Sequence, residues 1–228
     1  MNILAIDTSC DVLSAAINTE TGIWHTEIDD GTRHSELLLA IIDKLCSLCG
    51  IAPEKLNLIL CTEGPGSFTG LRIGFSTVKG LGMALGVPVK AIPTLDCLAY
   101  SLKFYPGIVI PAIDAKKKCF FTALYRGEKR LTGYMDSSPE TIALALRNNL
   151  LFKDENVVLT GSGAGILGSA LQTEFPAEFS AIKIDSRAKD GRAKELIRMA
   201  KNDILYCTDI FDSGPVYIRK SDAELNRG

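Results

Sequence analysis

Glu63-Gly64-Pro65-Gly66-Ser67-Phe68-Thr69-Gly70-Leu71-Arg72-Ile73-Gly74 follows a short apolar run, Leu56 to Cys61, and opens a long segment of small and apolar residues, Leu71 to Gly86. That order reads strand, tight turn, helix. Pro65 and Gly66 suit the central positions of a turn. Ser67 or Thr69 can cap the helix by accepting a bond from a free backbone N–H, and such a helix start is a ready anion site. Two nucleotide motifs fail here. A P-loop places Lys and then Ser or Thr after its last glycine, whereas Leu71-Arg72 follows Gly70. A dinucleotide fingerprint has two residues between its second and third glycines, whereas three separate Gly66 from Gly70. Spacing alone reads as a strand-to-helix turn without a ligand.

An internal repeat extends the reading. Ile3-Leu4-Ala5-Ile6-Asp7 recurs as Ile110-Pro111-Ala112-Ile113-Asp114, and at the same offset of 107 residues Ala16-Ile17 aligns with Ala123-Leu124. Each half therefore opens with a strand ending in Asp, a polar turn and a second apolar strand, a β-hairpin. The first half continues with a strand at Gly22 to Glu27, a helix at Ser35 to Cys49, a strand at Leu56 to Cys61, the Gly-rich helix, a strand at Val87 to Ala91 and a helix at Thr94 to Leu102. The second half continues with strands at Val109 to Ile113, Phe120 to Tyr125 and Arg130 to Met135, a helix at Pro139 to Asn148, a strand at Val157 to Thr160 and a helix near Gly165 to Phe175. Strands followed by helices in each half indicate an α/β protein.

Composition narrows the chemistry. A chain of 228 residues with 46% hydrophobic and 23% charged residues can bury a core without metals or disulfides. The first strand begins at Asn2, which leaves no room for a signal peptide, and no apolar run approaches a membrane span. Seven scattered Cys read as reduced thiols of a cytoplasmic protein. The Cys46-x-x-Cys49 pair lies in an apolar helical pattern and reads as core. With only His25 and His34 present, a His-based metal site is not expected. The net charge of −2 lacks the basic balance of a protein that grips nucleic acid alone. Lys116-Lys117-Lys118 reads as a solvated turn, and Arg187 to Arg198 as a solvated helix face. Gly163-Ala164-Gly165-Ile166-Leu167-Gly168 matches dinucleotide spacing, with Asp185 about 20 residues past Gly165, but no doubly wound sheet is evident around it.

The helix Ser35 to Cys49 is apolar over half its circumference or more, wider than the stripe of about 100° on an ordinary surface helix. Leu38, Ile42 and Leu45 suit a core. Leu37, Ile41 and Leu48 suit a second contact, the alternative being a helix enclosed in its own domain. On the next helix Gly70 and Gly74 lie one turn apart and form a strip for close backbone approach, either to a partner or within the fold.

The string Glu63 to Gly74 resembles the signature of the TsaB (YeaZ) family. Ile3 to Ser9, His34-Ser35-Glu36 with Leu38-Leu39, Ile113-Asp114-Ala115 and Pro215-Val216-Tyr217-Ile218-Arg219 resemble further landmarks of that family. The resemblance implies an actin-like ATPase superfamily fold with two RNase H-like subdomains, residues 1–105 with the partner interface and residues 106–228, each a mixed sheet flanked by helices. The last helix or tail would pack back on the first. It implies an accessory, non-catalytic, cytoplasmic subunit of the machinery that makes threonylcarbamoyladenosine in tRNA. Its partners would be a TsaD-like catalytic subunit, a TsaE-like ATPase through the complex, and a second copy in isolation. It would meet tRNA only within the complex, and no membrane. ATP and metal would belong to partner subunits, with no cofactor in this chain. The interface would comprise Leu37, Ile41, Lys44, Leu48, Gly70, Arg72 and Gly74. Asp7, Thr8, Ser9, Asp114, Gly161 and Gly163 would mark a vestigial nucleotide site. Both hairpin turns lack glycine at the point of closest approach, and Asp7 and Asp114 read equally as strand-end carboxylates bonded to turn amides. The alternative function is an active ATP-dependent kinase or hydrolase using Asp7 and Asp114.

Overall fold

The computed structural model describes residues 1–31, 33–151, 155–203 and 207–219. The residues beyond Arg219 lie outside these. In chain order the elements are β1 (Ile3–Asp7), β2 (Val12–Thr19), β3 (Gly22–Asp29), α1 (His34–Cys49), β4 (Leu58–Thr62), α2 (Phe68–Leu85), β5 (Val89–Ile92) and α3 (Thr94–Tyr100). There follow β6 (Ile108–Asp114), β7 (Phe120–Thr122), β8 (Tyr125–Arg126), β9 (Lys129–Arg130), β10 (Met135–Ser137), α4 (Pro139–Asn149), β11 (Val157–Thr160), α5 (Ala164–Glu174), α6 (Pro176–Phe179), β12 (Lys183–Ile184), α7 (Ala193–Asn202) and β13 (Thr208–Asp209). Two units form: residues 1–101 with 190–215, and residues 102–189 with 216–228. The return of 190–215 to the first unit brings the last helix back to the first sheet. It occurs because α7 packs on β1 and β2.

The first unit is built on a six-stranded sheet in the order β13-β5-β4-β1-β2-β3. β1, β2 and β3 are antiparallel neighbours, while β4 lies parallel to β1 and β5 parallel to β4. This is the RNase H-like arrangement. Alternation along β1 sorts the two layers. Leu4 and Ile6 join the cluster beneath α1 and α2, whereas Ile3 and Ala5 join the cluster formed with α3 and α7. On α1 the buried residues Leu38, Ile41, Ile42 and Leu45 follow the i, i+3, i+4, i+7 rule of a single stripe. Ile41, expected on a second face, is 8% exposed and belongs to the core. Burying such a side chain contributes about 1.5–3 kcal/mol.

The second unit centres on β6, which is parallel to β11 and antiparallel to β7 and β8. The strand expected over Phe120 to Tyr125 is interrupted at Ala123 and Leu124. Its register is continuous, with Thr122 opposite Ala112 and Tyr125 opposite Val109. The interruption falls opposite Pro111, which has no N–H to offer the ladder. Leu124 instead takes its bonds from the next segment, donating to Thr132 Oγ1 and accepting from the Leu131 amide. The expected strand at Arg130 to Met135 is likewise split, into β9 and β10. The hairpins also differ by one residue. Asp7 pairs with Ser14 across six intervening residues, and Asp114 with Phe120 across five. The structural equivalent of Ala16 is thus Thr122, one position before the sequence alignment. Ile108, Ile110 and Ala112 on one face of β6 pack in a cluster with Ile142 and Leu146 of α4 and Leu167 and Leu171 of α5.

An ion pair between half-buried Arg126 and buried Glu155 anchors this unit. Arg126 grips Glu155 in a fork, with Nε–Oε1 2.9 Å and Nη2–Oε2 3.0 Å, and the Leu151 amide donates to the same carboxylate. Burial pushes the Glu155 carboxyl up, but Arg126 and the Leu151 amide outweigh it and hold it below the ordinary range. A carboxyl whose folded value is depressed stabilises the fold above its unfolded value and loses that contribution as pH falls through the folded one. Arg126→Met should therefore lower stability by about 2–4 kcal/mol at pH 7, read from the urea midpoint. The gap from wild type should narrow below about pH 4.

Candidate functional site

Asp7 ends β1 as a fully buried carboxylate, and four donors converge on it. Its Oδ1 accepts from the Ser9 amide at 2.9 Å, Ser9 Oγ at 2.6 Å and Thr62 Oγ1 of β4 at 3.1 Å. Its Oδ2 accepts from the Arg192 amide at 3.0 Å. Arg192 is the cap residue of α7, and the next amide, Ala193, donates to Ser14 Oγ at 3.0 Å. Asp7 and Ser14 therefore cap α7 from another part of the chain, placing a negative charge at the positive end of its dipole.

The turn after β1 is pressed against the start of α2. Ser67 caps α2 through the Gly70 amide, its own amide donates to the Ser9 carbonyl at 2.7 Å, and Thr8 Oγ1 donates to the Gly70 carbonyl at 2.8 Å. A Cβ on Gly70 would stand 2.0 Å from the Thr8 carbonyl oxygen, and one on Gly74 2.5 Å from Thr8 Oγ1. Both glycines are buried. They face inward and admit the first turn, and so do not offer a strip to a partner. This backbone approach compensates the helix instability of interior glycine.

In the second unit Asp114 closes its own turn. Its Oδ1 accepts from the Lys116 amide at 2.8 Å and its Oδ2 meets Lys116 Nζ at 3.0 Å. Partial burial pushes the carboxyl up, and the Lys116 contacts overcome this and hold it low. Lys116, Lys117 and Lys118 are exposed, with φ of 60°, 54° and 59°. Three successive left-handed residues with Cβ atoms cost roughly 1–2 kcal/mol each. The Gly163 amide donates to the Ala112 carbonyl, and a Cβ on Gly163 would meet the Asp114 nitrogen at 2.8 Å. Gly161 takes a φ of 94° at the end of β11. The dinucleotide-like spacing does open α5 after β11. Its acidic residue, Asp185, accepts from Thr160 Oγ1 and from the Arg187 amide, and β6 has antiparallel β7 and β8 on the side away from parallel β11. Arg219 forks onto Asp136 with both contacts at 2.6 Å and donates to the Ala115 carbonyl at 2.7 Å.

On the outer surface of the first unit, Leu48 is 58% and Met83 70% exposed, and Lys44 and Arg72 are also exposed. Arg72 lies over the Phe68 ring at 3.8 Å. Leu37 is half-buried against the core. His34 is buried at the start of α1, with Nε2 3.1 Å from the Asp11 carbonyl. Burial pushes the Cys10 thiol up to about 12 and the Cys207 thiol up to about 11. The Cys46 thiol is raised by the same cause, in keeping with a packing role.

Sequence reading missed Thr62 and Arg192 as donors to Asp7, and Ser14 as the acceptor of the Ala193 amide. It also placed Arg192 and Glu195 on a solvated helix face, whereas each is 3% exposed. The amphipathic run after Gly191 was the available signal, but nothing local shows that its cap comes from residues 7 and 14.

The model of the family described as TsaD, tRNA N6-adenosine threonylcarbamoyltransferase, matches residues 29–148. The Bacillus subtilis (strain 168) tRNA threonylcarbamoyladenosine biosynthesis protein TsaB is 28% identical over 219 residues, which cover 88% of this chain and 96% of that protein. The Escherichia coli (strain K12) protein of the same name is 31% identical over 57% of each chain. Among solved structures, YeaZ from Pseudomonas aeruginosa superposes with a TM-score of 0.76 at 25% identity, over 95% of this chain and 99% of that one.

If the Asp7 carboxylate is a structural junction, Asp7→Asn turns an amide N–H toward existing donors. It should lower the stability of the chain by about 2–3 kcal/mol, measured by urea unfolding. An unchanged midpoint would remove the junction from the account.

Proposed function

The chain belongs to the TsaD family in its TsaB (YeaZ) branch, and from that premise we propose that it is an accessory subunit of tRNA threonylcarbamoyladenosine biosynthesis, supporting a TsaD-like transferase without chemistry of its own. The saturation of Asp7 carries the non-catalytic part of this reading. Both oxygens accept from protein donors, so the carboxylate that would hold hydrated magnesium is already committed to the fold. The α2 start that would face a phosphate is capped by Ser67 and packed on Thr8. These contacts count against an ATP-dependent kinase or hydrolase. The two histidines stand on different elements, His25 on β3 and His34 on α1, and His34 is engaged by a backbone carbonyl. ATP and metal then reside with partner subunits, a TsaE-like ATPase among them.

For the partner contact, exposure favours Lys44, Leu48 and Arg72 over Ile41, Gly70 and Gly74, and adds Met83. Met and Arg are enriched at interfaces relative to the rest of a protein surface, and Met83 and Arg72 are both exposed on α2. The same face would serve a TsaD-like subunit or a second copy.

Two measurements test this. Threonylcarbamoyl transfer to tRNA by the purified remaining components should depend strongly on adding the chain, and the chain alone should transfer nothing. Equal transfer with and without it would overturn the reading. Leu48→Glu combined with Met83→Glu should abolish co-elution with the transferase while leaving the thermal midpoint within a few degrees. Ile41→Glu, by contrast, should unfold the chain, because it buries a charge in the core. Undiminished co-elution of the double variant would move the interface elsewhere.

A further inference from the structure

The second hairpin carries a feature that neither the core nor the Asp114 turn requires. Lys116, Lys117 and Lys118 occupy consecutive left-handed positions at an exposed tip. Gly or Asn takes that conformation with a smaller steric penalty, so closing the hairpin does not call for lysine. Three adjacent cations also repel one another. Lys116 is steadied by Asp114, and Lys118 adds a little to the lowering of the Glu140 carboxyl, which its hydrogen bond with Ser138 chiefly holds low. Strain of this kind collects where a side chain must be presented in one direction.

The charge of the unit points the same way, and three of its positive charges are these lysines. Residues 102–189 and 216–228 contain fifteen Lys or Arg against eleven Asp or Glu, a net of +4. Residues 1–101 and 190–215 contain ten against sixteen, a net of −6. The overall charge of −2 thus conceals a basic unit, and a sign asymmetry of this size marks a polyanion-facing part of a chain.

We propose that the Lys116–Lys118 turn is a contact for the phosphate backbone of a folded RNA, which on the reading above is the tRNA undergoing modification. Ammonium groups on a fixed turn neutralise phosphates as point charges and position the RNA without reading bases. The contact adds affinity and leaves the transfer chemistry to the partner.

The probe is a fluorescein-labelled, unmodified tRNA transcript titrated with the full chain, followed by anisotropy across a salt series. Lys117→Asn with Lys118→Asn removes two charges while keeping residues that accept the left-handed backbone. The double variant should match wild type in thermal midpoint or exceed it, and should bind the tRNA about tenfold more weakly. The slope of log affinity against log salt should fall by about 1.4–1.8. Equal affinity and slope for variant and wild type, or no saturable binding by wild type, would overturn the proposal. So would a result in which the substitutions abolish binding to phosphatidylserine vesicles while the tRNA titration stays flat. The accessory-subunit reading is judged separately, by whether transfer needs the chain, so either can fail while the other stands.

Discussion

The Asp7 carboxylate is the point on which the first unit depends. A buried anion is tolerable only when its lone pairs are filled, and here the four donors come from the turn after β1, from β4 and from the cap of α7. One side chain thereby ties the central strand to its parallel neighbour and to a helix 185 residues away in sequence. The result is a helix cap supplied at long range, and α7 in turn closes one face of the sheet with Leu196, Ile197 and Met199.

The two hairpins show how one scaffold diverges. Both end their first strand in Asp, and both lie beside a parallel strand, β4 or β11. Around Asp7 the turn opens with buried Thr8 and Ser9, which α2 locks in place. Around Asp114 the turn is one residue shorter, exposed and basic. Each carboxylate closes its own turn, but only Asp7 also bridges other elements. The same sequence motif therefore has a structural use in one unit and a surface setting in the other.

Small residues do much of the positioning. Gly70 and Gly74 have no Cβ because the Thr8 carbonyl and hydroxyl occupy that space. Gly191 is constrained likewise, where a Cβ would meet Ser14 Cβ at 2.3 Å just before α7 begins. Close approach of this sort uses dispersion and backbone hydrogen bonds in place of side-chain volume. The bulkier Arg72 and Met83 of α2 lie on its outer surface.

Much of this was legible in the sequence. Short apolar runs placed β1 and β11, the helical apolar pattern placed α1, and turn residues placed the start of α2, because each is a local pattern whose range is a few residues. The paired Asp-ended hairpins were visible as a repeat for the same reason. What required the tertiary structure was direction and partnership. Whether Ile41 or Leu48 faces outward depends on which neighbours fill the sheet's far side. Whether Gly70 serves a partner or the fold depends on the location of Thr8. The role of Asp7 depends on Arg192 returning to it across the chain. The interruption of the second hairpin at Ala123 depends on Pro111 standing opposite. None of these is a property of a short stretch, since each is a contact between residues that only folding brings together.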